Sequence, residues 1–497
     1  MKKFILSSLM GVFCLHAMAQ NDIDAIRYTN KKFGSTAKAM SVGGAVGALG
    51  ADISSASINP AGLAQFKKGE FSFSLGFMST KNTSTYLNSQ LSDNTFNMNI
   101  PNVGLVFTKK TLSKKEEHGW KNYTFALNSA RVADFNRVIN FEGLNTETSL
   151  MDYFAERANG LSVDQLLGTD DDFDYGFTSK TSMAYEAYLF DSVGNRKYAA
   201  NASPIFHNIN QKGVIQQSGG MNEFNVSLAG NYDDIVYLGA TMSYTSVKFN
   251  ENRTHSEVND PENTASSAID NFTYSEKLNT TGGGISGRLG LIIKAKDFAR
   301  IGLSVQTPQV LTLNDEYSFA INSTLRNGKY LDYKSKDGAY DYSLLTPGRY
   351  TLSATGLIGK NGFISADIEK VDYSAMRLRS SDGSNAMEIA NNDIRSKYTS
   401  AINYRIGGEL VINEYRIRGG YANYGSPLKE NKDQQTEFIT GGFGIKEKNW
   451  ALDFGVIQKV ENDIFQPYVL NDKSREQAVA SNKFSATNVV ITLVTKF

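Results

Sequence analysis

Glu70-Phe-Ser-Phe-Ser-Leu-Gly-Phe-Met78 puts Phe71, Phe73, Leu75 and Phe77 on one face and Ser72, Ser74 and Gly76 on the other. That is the period of two that marks a strand with unlike faces. The face of large apolar groups suits lipid, and the face of small polar groups suits an interior. On this reading an Arg is expected to block assembly at position 73 and to be tolerated at position 74.

The same alternation recurs downstream. Candidate strands cover 69–79, 98–108, 120–131, 220–231, 234–249, 279–294, 298–313, 348–359, 362–373, 400–411, 415–424, 436–446, 449–459 and 485–497. That is an even count of about fourteen, as bacterial barrels show. The connections alternate in length. Short ones fall at 231–234, 295–297, 360–362, 413–414 and 446–448, with a longer charged one at 109–119. Long ones fall at 80–97, 132–219, 250–278, 314–347, 374–399, 425–435 and 460–484. A barrel that crosses a membrane has short turns at one end and long loops at the other. The fold class is therefore all-β, a transmembrane antiparallel barrel. Its last strand ends on Phe497, an aromatic terminus expected to act as the assembly signal read by the barrel assembly machinery.

Upstream of the first strand, Lys38 to Leu63 reads KAMSVGGAVGALGADISSASINPAGL. It is rich in Gly, Ala and Ser and has no alternating run. Asn59 can cap a short helix with its side chain. Pro60 suits the first helical position, where its missing N–H costs nothing. Gly62 keeps that element short or lets another backbone come close. Ala61 and Leu63 complete the motif. The segment reads as a plug, with residues 20–68 forming a hatch and 69–497 the barrel.

Residues 1–19 read as a signal peptide: Lys2 and Lys3, an apolar run from Phe4 to Leu15, then Ala17-Met18-Ala19 as the cleavage site. The apolar run is too short for a spanning helix, which needs roughly 20 residues. Cys14, the single cysteine, falls inside it.

Composition narrows the function. The chain has 51 basic and 51 acidic residues, so no nucleic-acid footprint is visible. His118, His207 and His255 have no partner at ligand spacing, so no metal site and no cofactor are expected. A lipase would need a Ser–His pair with an orienting group. No motif offers one, and the chain is not read as an enzyme.

Charges inside the strands locate the interior. Asp367 and Glu369 share a face, as do Arg405 and Glu409, Arg416 and Arg418, and Asp453 and Lys459. An Arg or Lys facing lipid at the midplane would cost about 2–4 kcal/mol. These groups must point inward, where opposite signs can pair in a network that holds the plug; the alternative is that they line a lumenal substrate path. In the longest loop, Thr148 or Ser149 caps a helix over Leu150, Tyr153, Phe154 and Ala158, and Asn159-Gly160 stops it. Its apolar side packs on neighbouring loops or forms a surface groove.

The pattern Gly43-Gly44-Ala45, Ala48, Gly50-Ala51-Asp52 and Asn59-Pro60-Ala61-Gly62-Leu63-Ala64, followed at once by the first strand, resembles the FadL-type family. These are the long-chain fatty-acid channels and aromatic-hydrocarbon porins of Gram-negative outer membranes. The resemblance implies a fourteen-stranded barrel with an N-terminal hatch at Asn59, Pro60 and Ala61. It also implies hydrophobic cargo that leaves sideways through a gap in the wall. That gap goes with a kinked third strand, and Trp120 to Arg131 holds no Gly or Pro to kink it.

The expected function is passive uptake of hydrophobic small molecules such as long-chain fatty acids. The alternative is a structural or adhesive surface barrel whose long loops bind external partners. The expected location is the outer membrane, among its lipid and lipopolysaccharide, with both termini periplasmic.

Overall fold

Fourteen antiparallel strands close into a barrel in the computed structural model. The structure describes residues 22–111, 118–167, 177–202, 208–259, 268–472 and 474–497. The leader at 1–19, with Cys14, and His207 lie outside the described residues.

The wall strands are β1 (Glu70–Tyr86), β2 (Ser89–Lys110), β3 (Trp120–Asp134), β4 (Ile209–Tyr232) and β5 (Val236–Asn259). They continue as β6 (Ile269–Lys296), β7 (Ala299–Gln306), β8 (Arg349–Leu357), β9 (Gly362–Asp372) and β10 (Ser400–Ile412). The last four are β11 (Tyr415–Tyr424), β12 (Thr436–Lys446), β13 (Trp450–Phe465) and β14 (Ala480–Lys496). Closure is direct: β1 pairs with β14 from Glu70↔Lys496 to Tyr86↔Ala480. The Phe497 amide donates to the Gly69 carbonyl, so both ends of the wall lie at the short-turn end.

Side-chain alternation follows the sequence. Ser72 and Ser74 are buried inside, while Leu75, Leu303, Leu352, Ile364, Ile406, Ile417 and Ile439 are exposed on the outer face. The interior serine at 74 has no free space, however. It is 0% exposed and shares a 2.7 Å hydrogen bond with Thr492. An Arg there would meet packed groups, which narrows the difference expected between positions 73 and 74.

Several stretches expected to be loops are strand. β1 and β2 run on through 80–97 and meet in a tight turn at Leu87–Asn88. Within 132–219, Arg137–Asn145 pairs with the upper half of β4. β5 and β6 stay paired as far as Val258↔Asn271, and Val310–Leu325 pairs with the upper half of β6. These segments are rich in Asn, Ser, Thr and Lys. Where a strand rises past its apolar band, alternation leaves no hydrophobic contrast to read.

Helices gather at the long-loop end. The helix Leu150–Ala158 starts with the Ser149 cap and a capping box through Asp152. It ends at Asn159, followed by Gly160 at φ 94°. Phe154 and Ala155 pack against Leu166, Ala184, Phe190 and Tyr274. The apolar side is thus covered by neighbouring loops. Below it, the Glu257 carboxylate of β5 accepts from the Leu150 amide at 2.8 Å. A carboxylate at a helix N-terminus is favourable, and this one anchors the helix to the wall.

Candidate functional site

The interior is occupied by the N-terminal segment. It comprises α1 (Asp22–Thr29), α2 (Ala37–Ser41), α3 (Ser55–Ile58) and a 3₁₀ turn over Pro60–Gln65. α1 sits at the long-loop end. Asp22 pairs with Lys397 of the loop helix Glu388–Lys397 at 3.1 Å and accepts from Tyr398. Burial alone would lower the Lys397 pKa, but the Asp22 and Asp393 carboxylates outweigh it and raise it.

From α1 the chain descends through the lumen, tied to the wall at each level. Lys31 donates to Gln309 at 2.8 Å and pairs with Glu223 at 3.3 Å. Arg349 donates to the Thr29 carbonyl and pairs with Glu369. The Ala37 amide donates to Thr492 at 2.7 Å, and Arg300 donates to the Leu49 carbonyl. Near the short-turn end Asn122 donates to the carbonyls of Ala64 and Phe66.

The Asn59-Pro60-Ala61-Gly62-Leu63 turn is buried throughout. Asn59 caps it, accepting from the Ala61 amide at 3.2 Å, and Pro60 takes the first position. The Asn59 amide nitrogen also donates to Gly47 O at 2.6 Å and to Leu291 O of β6 at 3.3 Å. The wall is cut away to receive it. A Cβ on Gly290 would lie 2.0 Å from Asn59, and one on Gly239 2.3 Å from Pro60. Gly62 allows a close approach as well, because its Cβ would lie 2.9 Å from Gly50.

Of the eight charges expected to face inward, Asp367, Glu369, Arg405, Arg418 and Asp453 are buried. Arg418 sits between Glu409 and Asp453, 2.6 Å from each. Arg405 lies 3.6 Å from Asp367, which accepts from the Gly47 amide. Arg416 departs from the expectation of pairing. It donates to the carbonyls of Asn413 and Tyr415 at the adjacent turn, because it lies at the strand end, where turn carbonyls are free. Glu369 pairs with Arg349, and Lys459 with Glu461 at 2.9 Å. Sequence reasoning missed both partners. Glu461 shares the parity of Asp453 and Lys459 on one strand, and that was the available signal; Arg349 stands on β8, where the sequence reading singles out no charge.

A cavity of about 350 Å³ lies between the N-terminal segment and the wall. Ile26, Phe33 and Met40 of the segment face Met78, Phe135 and Phe484 across it. Its other side is charged. Arg137 pairs with Asp463 at 3.5 Å and Lys459 with Glu461. Lys32 differs from these. Its ammonium stands 4.3 Å from the Tyr424 ring centre, and among the described residues it forms no ion pair.

The wall beside this cavity is incomplete. The β2–β3 ladder ends at Asn102↔Ala130. Beyond it, among the described residues, 89–99 of β2 pair with β1 alone, while Arg131–Asp134 and Arg137–Asn145 pair with β4 alone. Two irregularities coincide there. The β1–β2 register shifts between Ser74 and Gly76, opposite Pro101, and the β3–β4 register shifts between Arg131 and Ala133. Proline has no N–H to give a ladder. The break therefore needs no Gly or Pro in Trp120–Arg131, because the neighbouring strand supplies Pro101 and β3 supplies the shift. Side chains bridge the seam instead. Asn140 donates to Asp93 at 2.5 Å, and Asn97 to Asp134 at 3.3 Å. Asn99, Pro101 and Arg131 to Arg137 line the cavity immediately behind.

Phe497 packs against Gly69 and lies 6.0 Å from the Phe107 ring. His118 is exposed beside Asp233, and His255 is buried against Glu257.

No protein-family model matches the chain. No curated protein matches it either. Solved structures do. The P. putida toluene transporter TodX shares 12% identity, with 94% of this chain and 99% of that one aligned at a TM-score of 0.53. A Pseudomonas aeruginosa FadL homologue gives 12%, 94%, 99% and 0.52. The fold is that of the FadL-type channels. At this identity the likeness concerns the fold alone.

Proposed function

We propose that the chain is an outer-membrane channel for the passive uptake of hydrophobic small molecules such as long-chain fatty acids. Residues 20–68 act as the hatch and 69–497 as the barrel. The short turns and both termini face the periplasm, and the long loops face outside. The apolar outer face and the inward charges support a membrane setting, since charge facing lipid is costly.

The observation that carries the reading is the placement of the cavity directly behind the unladdered seam. Burying each CH₂ is worth about 0.8 kcal/mol, so an acyl chain resists an aqueous pore. Cargo caught at the long-loop end would settle against Ile26, Phe33 and Phe135. It would then leave sideways between β2 and the Arg137–Asn145 strand, without passing through water. TodX is a toluene transporter, and a neutral aromatic would use the apolar side alone. A fatty acid would in addition place its carboxylate at Lys32, the cation in the cavity without an ion partner among the described residues.

Uptake of labelled palmitate and toluene by cells expressing the protein tests this. Expression should raise uptake of at least one. Deleting residues 38–64 should abolish selective uptake and raise single-channel conductance in planar bilayers, since no ladder bond of the wall is lost. Equal conductance of the deletion and the parent would contradict the hatch. An epitope near residue 330 should be reachable on whole cells and one at 360–362 should not.

A further inference from the structure

The outer face of the wall carries one concave trough of about 780 Å³ near its short-turn end. Its floor is Gly230 of β4 and Ala240 of β5. Ala240 lies between Leu228 and Leu289 in the ladder, and these rise on either side at 64% and 66% exposure. Gly230 lies between Tyr123 and Leu238. The two small residues are diagonal neighbours, but Trp120 packs over Gly230, where a Cβ would lie 2.6 Å from its ring, so the open floor is Ala240 between its two leucines.

The slot leads to a rim of different chemistry. Trp120 stacks on Tyr123 with ring centres 5.4 Å apart and meets Tyr232 edge-on at 5.6 Å. Trp and Tyr concentrate at the membrane–water boundary, where one part of the ring is apolar and the other wet. Lys109, opposite Tyr123 in the β2–β3 ladder, lines the same trough. It forms no ion pair among the described residues.

We propose that this trough is a binding site for one anionic glycerophospholipid in the leaflet at the short-turn end. One acyl chain lies over Ala240 between Leu228 and Leu289, with the Trp120 ring closing the slot over Gly230, and the phosphate meets the Lys109 ammonium beside the aromatic rings. The sequence of the slot, apolar floor first and cation at the wet rim, matches the order of parts in such a lipid. The proposal rests on the membrane reading above.

The test is native mass spectrometry. The full chain is reconstituted in vesicles of phosphatidylethanolamine and phosphatidylglycerol and released in a mild detergent. A heat-modifiable band first establishes that each variant inserts as a folded barrel. The parent should retain one phosphatidylglycerol. Ala240→Trp, which fills the floor, and Lys109→Gln, which removes the charge, should each lower the retained fraction about tenfold. Ala366→Trp, outward on β9 far from the trough, should retain it as the parent does. Equal retention by all four overturns the site and leaves the membrane reading standing. A dimer in place of the lipid adduct overturns it in favour of a second copy. A parent that inserts into no vesicle overturns the site together with the membrane reading.

Discussion

Asn140 meets Asp93 side chain to side chain at 2.5 Å, at a level of the wall where, among the described residues, no backbone ladder joins their strands. A second bridge, Asn97 to Asp134, lies on the same seam. Elsewhere neighbouring wall strands are held by paired backbone groups along their shared length. Here two side-chain bonds do the work of a ladder. Around them the Asp93 Oδ2, Thr95 Oγ1, Asn97 Oδ1 and Asn140 Oδ1 atoms are buried without a hydrogen-bond partner among the described residues. The seam lacks the backbone ladder of the other junctions, and it fronts the cavity.

Replacing Asn140 and Asn97 by Ala should loosen this line without unfolding the barrel. Each bond is worth about 1 kcal/mol net, so losing one or both should speed amide exchange in residues 89–101 by roughly 5–30-fold. Exchange in β10 to β12 should not change. A uniform rise around the barrel would mean that the bridges support the whole wall.

Arg418 stands between two carboxylates in the lumen. Arg418→Met strands Glu409 and Asp453 together and should cost about 3–5 kcal/mol in urea unfolding of the reconstituted barrel. Adding Glu409→Gln and Asp453→Asn should recover most of the loss. No recovery would point to packing rather than charge.

Lys32 should discriminate between cargo classes. Lys32→Met should cut palmitate uptake and leave toluene uptake near the parent level. Equal loss of both would place Lys32 in the structure of the segment rather than in recognition.

The α1 anchor should be sensitive to alkali. Asp22 raises the Lys397 pKa above the ordinary lysine value of 10.5, so the pair's contribution is fully present below that pH. It is lost as pH rises through the raised value. Exchange protection of Asp22–Thr29 should fall above that range in the parent and be unaffected by it in Lys397→Met.

The barrel was legible because its signal is repeated. Phe71, Phe73 and Leu75 against Ser72 and Ser74 recur strand after strand, and the short turns return at every second connection. Inward charge was legible for the same reason: Arg418 or Asp367 could face only one way. What escaped falls into two kinds. The upper strands, such as Arg137–Asn145, carry polar groups on both faces, so period two leaves no contrast. The seam depends on register, and register is set by pairing between strands, which no single segment records. Pro101 was visible in the sequence as a residue that gives no ladder bond. That its gap would fall opposite the shift at Arg131 and Ala133 was not. Lys32 lies in a segment without periodicity, and its solitude emerges only once the lumen is assembled.

The central claim is that cargo passes through the cavity and leaves by the seam, and a reversible lock tests it most directly. Cys14 is the only cysteine in the sequence, so in a Cys14→Ser background Asp93→Cys with Asn140→Cys adds the only pair. In proteoliposomes, uptake of labelled hydrophobic cargo should fall to the background of empty vesicles when the pair is oxidised and return on reduction. Each single variant should transport under both conditions. Undiminished uptake through the oxidised, cross-linked barrel would contradict the account.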